Sequence, residues 1–158
     1  NDEIWFYYVG IDAKNWWTWS GDPPKRDPNP KQPNAGIGLA KLRVDGFVSI
    51  EAGSDAGTLT TRPLVFLGDT LVVNANAKGG TLVVEALDAK GKVISGFAAS
   101  DCKPITTDSV RHVLQWGGNP DCHLIQARPI KLRFYLNKAK LYSFTPRIRH
   151  KHYVPSYD

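Results

Sequence analysis

Methionine is missing from all 158 residues, and cysteine occurs only twice, as Cys102 and Cys122. There is no CxxC pair, which removes the usual zinc-cluster and dithiol-redox patterns. No apolar run approaches the ~20 residues of a membrane-crossing helix. A helical period longer than a turn or two is also absent, so a helix bundle is not expected. No secretory leader is visible in the sequence and no initiating Met opens it, so it reads as a mature or excised fragment. No RNP, helix-turn-helix or zinc-finger pattern is present, so nucleic acid is not an expected partner, and neither is a membrane.

What is present is punctuation. Glycine (14) and proline (11) break the chain often, which favours many short elements. The intervening runs are rich in Val, Ile, Thr and aromatics, the residues of strands. Hydrophobic residues make up 42% and charged residues 22%, both ordinary for one globular domain.

Residues Glu3 to Gly10 (EIWFYYVG) form a dense aromatic run with the look of a buried strand. Residues 11–35 then hold Trp16, Trp17 and Trp19 and five prolines, a density that neither a helix nor a central strand tolerates. From Gly36 the pattern turns regular. GLAKLRV alternates and Asp45-Gly46 follows as a hairpin signal. TLVVNANA, TLVVEALD, SVRHVLQW, PIKLRFYL and KLYSFT supply further strands, the last two read as a pair around Asn137. About ten short strands parted by turn residues predict an antiparallel β-sandwich of jelly-roll type. The expected organisation is a lone strand over 1–10, a Trp/Pro-rich loop over 11–35, the sandwich over 36–146 and a basic surface tail over 147–158.

The run from Gly36 to Phe144 carries a more specific signal. GIGLAKLRVDGFVSIEAG, GTLTTRPLVF, LVVNANAKGGTLVVEALDAKGKVISGF, DSVRHVLQW and KLRFYLNKAKLYSF follow one another over about two thirds of the chain. In order and spacing they resemble the C-terminal β-sandwich module that follows a five-bladed propeller in bacterial glycoside-hydrolase-like proteins. The opening DEIWFYY is similar to the strand that completes the last blade of such a propeller. The resemblance implies an upstream catalytic propeller as partner, no catalytic centre in this chain, and a secreted or periplasmic setting.

The candidate sites divide between chemistry and packing. Trp16, Trp17 and Trp19 offer flat indoles for stacking on pyranose rings, with Lys25 and Arg26 beside them for hydroxyls or sulfates. The competing role is to plug a cleft against another domain. The net charge of +5 suits an anionic polysaccharide. Glu51, Glu85, Asp101 and Asp108 are the carboxylates from which an acid pair would have to come, yet their spacing selects no pair. Arg111 and His112 are consecutive on a strand and point to opposite faces. His150 and His152 are spaced HxH without further ligands nearby, and no metal or other cofactor is expected, although Asp45, Asp55 and Asp69 sit in turns that would suit a structural calcium. Cys102 and Cys122 would close a loop of about 20 residues if bonded, worth about 3 kcal/mol; buried free thiols are the alternative.

The function these residues imply is a non-catalytic, carbohydrate-facing accessory module of a polysaccharide-degrading enzyme. Two alternatives stand beside it: an assembly protein that associates through its N-terminal strand, and a hydrolase fragment with activity of its own.

Overall fold

The structure, a computed structural model, describes residues 2–11 and 35–148. It is all-β, with nine strands and one 3-10 turn among the described residues. The chain divides into two compact units, 1–44 and 45–158, and each is considered on its own.

The first unit is a two-stranded ribbon. β1 (Glu3–Ile11) pairs antiparallel with β2 (Ala35–Arg43) over nine residues, from Glu3 opposite Arg43 to Ile11 opposite Ala35. The aromatic strand therefore has a partner of its own, and that partner is the GIGLAKL run. Asp45, at φ 51°, marks the break between the units. The Asp45-Gly46 signal therefore turns no hairpin, because the strand after it pairs elsewhere.

The second unit is the sandwich. Its strands are β3 (Ile50–Ala52), β4 (Gly57–Thr60), β5 (Thr70–Asn76), β6 (Thr81–Asp88), β7 (Asp108–Val113), β8 (Ile130–Asn137) and β9 (Ala139–Arg147). One sheet runs β3-β9-β5-β7 and the other β4-β8-β6. All the pairings are antiparallel. β8 shows the logic of period two most clearly: Ile130, Leu132, Phe134 and Leu136 are buried while the residues between them are half-exposed. Leu71, Val73 and Ala75 of β5 and Leu82, Val84 and Ala86 of β6 join the same core. Among the described residues that core draws on positions from Ala52 onwards. Each fully buried Leu, Ile or Phe contributes about 1.5–3 kcal/mol.

Every connection from β3 to β9 passes from one sheet to the other, and two of them are short. Residues 77–80 lead from β5 to β6, and Lys138 alone leads from β8 to β9. The expected pairing of PIKLRFYL with KLYSFT is thus replaced by a sheet-to-sheet corner, since β8 pairs with β4 and β6 while β9 pairs with β3 and β5. By contrast, Asp88 to Lys92 is a true tight turn. The Asp88 carboxylate accepts the N–H groups of Lys90 and Lys92, each at 2.9 Å.

The free edge of β6 is closed by residues 93–116. Leu82 exchanges backbone hydrogen bonds with Ile105, and Ala86 bonds to Phe97 and Ile94. Between them, the Val84 N–H donates to the Cys102 sulfur at 3.4 Å, and the Val84 carbonyl accepts the indole N–H of Trp116 at 2.9 Å. Side chains here finish along β6 a ladder that the backbone leaves open.

Candidate functional site

The ribbon carries the largest concentration of exposed aromatic surface among the described residues. Alternation places Trp5, Tyr7 and Val9 of β1 on one face, opposite Lys41, Leu39 and Ile37 of β2. Tyr7 and Val9 are each 67% exposed and Ile37 82%, too open for a settled core. One end of this face is fixed by charge. Glu3 accepts the Trp5 indole N–H at 2.9 Å and pairs with Lys41 at 3.5 Å, while the Lys41 ammonium lies 4.4 Å from the Trp5 ring centre. The Trp5 hydrogen bond, then the Lys41 charge, hold the Glu3 carboxyl below its ordinary range. On the other face the Tyr8 ring lies across Gly38. A Cβ at Gly38 would meet the Tyr8 ring carbons and sit 2.7 Å from its hydroxyl, so a side chain there would push this exposed ring aside.

A polar row crosses the outer face of the three-stranded sheet. Thr60, Arg133 and Glu85 stand opposite one another on β4, β8 and β6. Arg133 donates to Thr60 at 3.2 Å and to Glu85 at 3.0 Å, and the Tyr135 hydroxyl donates to the same Glu85 oxygen at 2.8 Å. Glu85 is only 5% exposed, so its charge is held by this network.

The carboxylates that could have formed an acid pair are dispersed. Glu51 lies on edge strand β3 of the four-stranded sheet and pairs with Lys140 at 3.0 Å; Glu85 lies in the opposite sheet. The hydrogen bond that Lys140 donates to Glu51, then the Glu51 charge, hold the Lys140 ammonium above its usual pKa. Asp101 accepts the Ala98 N–H within its own turn, and Asp108 starts β7. His112 bonds through Nε2 to the Ala75 carbonyl oxygen at 3.1 Å, while Arg111 is exposed. Among the described residues no three His, Cys, Asp or Glu side chains gather as a metal site. Asp45, Asp55 and Asp69 form no such group either.

Cys102 and Cys122 are both free and buried. Burial pushes the Cys102 thiol up, against the opposing hydrogen bond from Val84. Cys122 precedes the 3-10 turn His123–Ile125 and is fully buried, whereas His123 is exposed and bonded to Asp121 at 2.8 Å. The neighbours Cys122 and His123 therefore diverge and make no nucleophile–base pair. Trp16, Trp17, Trp19, Lys25, Arg26, His150 and His152 lie outside the described residues.

Sequence reasoning missed the Thr60–Arg133–Glu85–Tyr135 row. The only signal for it is the polar phase of β8 (Lys131, Arg133, Tyr135), which does not announce a buried partner on another strand. Among the described residues no helix is long and apolar enough to cross a membrane. Comparison with protein families, with curated proteins and with solved structures gives no match.

Proposed function

We propose that the chain is a non-catalytic accessory module of a secreted polysaccharide-degrading enzyme, joined to a catalytic propeller and contacting an anionic glycan. One observation carries this reading. A sandwich whose core is complete from Ala52 onwards shares its chain with an aromatic ribbon exposed on both faces. An isolated two-stranded ribbon is marginal at best in water. Exposed contiguous aromatics of this kind belong against another surface. The strand similar to a terminal propeller strand is the strand so exposed, which is how a joint between a propeller and its appended module would look.

The glycan part of the reading rests on the residues that suit sugars, Trp16, Trp17 and Trp19 with Lys25 and Arg26, together with the net charge of +5. Its test is affinity electrophoresis of the chain through gels holding neutral or anionic polysaccharide, with each Trp changed singly to Ala. The expected result is retardation on anionic gels, reduced in at least one Trp variant. Migration unaffected by every polysaccharide would overturn the reading.

The ribbon also favours a second reading, association of copies through β1. In a two-stranded sheet each strand has a side outside the ladder, and strand addition uses such sides. Sizing by light scattering separates the readings: a monomer at micromolar concentration supports the module, a dimer abolished by Tyr7→Glu supports assembly.

A further inference from the structure

The sheet-to-sheet crossings at residues 77–80 and at Lys138 fall at the same end of the sandwich, and they are packed against each other. A Cβ on Gly80, in the first crossing, would run into the backbone oxygens of Asn137 and Lys138 and lie 2.7 Å from the Lys138 Cβ. Only glycine permits this approach, so the turn bearing Lys78 is pinned to the corner bearing Lys138. Lys138 itself has φ 45°, a conformation that residues with a side chain adopt at a cost and that tends to mark functional positions. Its N–H donates to the Gly53 carbonyl at 2.8 Å, and the Asn137 amide donates to the Ser54 carbonyl at 3.3 Å. The Lys78 N–H is held by the Asn76 side chain at 3.1 Å.

These pinned segments surround an open cavity of about 260 Å³, lined by Lys78, Lys138, Lys140, Asn76, Glu51 and the Gly53–Ser54 turn. Three lysines and one glutamate line it, and the glutamate carboxylate is already engaged by Lys140. Lys78 and Lys138 have no ion-pair partner among the described residues. A bound anion would give these two cations a partner of opposite charge. The volume lies below the ~300–1,000 Å³ of drug-sized pockets and suits one sugar residue rather than an oligomer.

We propose that this pocket binds a single anionic sugar residue, the sulfate ester or uronate carboxylate of a polysaccharide, with Lys78 and Lys138 as its cationic donors and Asn76 as a neutral one. The inference rests on the proposed glycan-binding role and assigns its charge selectivity to a site apart from the Trp residues.

The experiment is affinity electrophoresis of the whole chain in gels containing dextran sulfate, polygalacturonate or unmodified dextran, with a single-stranded oligonucleotide as a further arm. Lys78→Gln/Lys138→Asn is compared with Lys90→Gln/Lys103→Gln, which removes the same charge from outside the pocket; Asn suits the positive φ at 138. Thermal melts establish that both variants fold. The expected result is a loss of about tenfold in apparent affinity for at least one anionic gel in the pocket variant, with less than about twofold in the control. Equal losses in the two variants, or none in either, would overturn the pocket while leaving the wider reading intact, provided the parent chain is retarded. Equal retardation on dextran and dextran sulfate would do the same. A parent chain retarded by no polysaccharide overturns both, and pocket-dependent binding confined to the oligonucleotide replaces the glycan with nucleic acid.

Discussion

The indole N–H of Trp116 donates to the backbone carbonyl of Val84 across 2.9 Å, from a residue 4% exposed. This bond and the Cys102 contact to the Val84 N–H finish the outer edge of β6 at its middle. Trp116 also meets Phe97 edge-on at 5.2 Å. Trp116→Phe keeps most of the packing and removes the donor, leaving a buried carbonyl unsatisfied. The expected cost is about 1–3 kcal/mol, read as a lower urea midpoint at unchanged slope.

Glu85 is buried while its partner Arg133 is one-third exposed. Arg133→Met removes the cation and leaves the carboxylate with Tyr135 alone. A destabilisation is expected, smaller than that of a fully buried pair because water reaches the arginine. Glu85→Gln/Arg133→Met should recover part of that loss, and a double-mutant cycle in urea measures it. An additive cycle would mean that the row is ornamental.

The turn at Asp88 gives a pH signature. Its carboxyl is held below the ordinary range chiefly by the Lys92 backbone N–H, with Lys90 and Gly91 adding to it, against an opposing effect of desolvation. A depressed folded-state pKa means stability that is present above the unfolded value, about 3.9, and lost as pH falls through the folded value. Asp88→Asn should therefore flatten the stability profile below about pH 4. Urea melts across that range test this, and an unchanged acid slope would contradict it.

Cys102 is buried with a raised thiol pKa, so its reactive thiolate is scarce in the folded state. Iodoacetamide should leave both cysteines unmodified in native protein and label both in urea, by mass spectrometry. Rapid native labelling of either would place it at the surface.

How much of this was legible depends on the range of the signal. The Asp88–Lys92 turn was readable because its hydrogen bonds are local. The β8 strand was readable because its core and outer residues alternate without a break. The corner at Lys138 was not, because alternation looks the same whether two strands share a sheet or face each other across a core. Asp45-Gly46 has the composition of a hairpin turn, but the strands on either side had better partners elsewhere. Closure of β6 by Cys102 and Trp116 joins residues 18 and 32 positions apart, a distance at which no spacing rule operates. The candidate sugar residues Trp16, Trp17 and Trp19 remain a reading of the sequence.

The claim on which the account turns is that this chain holds a glycan without cutting it. Incubation of the purified chain with sulfated and uronate polysaccharides, followed by measurement of new reducing ends alongside gel retardation on the same polymers, tests it most directly. The account predicts retardation with no reducing ends above the blank. Turnover that disappears when Glu51, Glu85, Asp101 or Asp108 is changed to its amide would contradict it and make the chain a hydrolase.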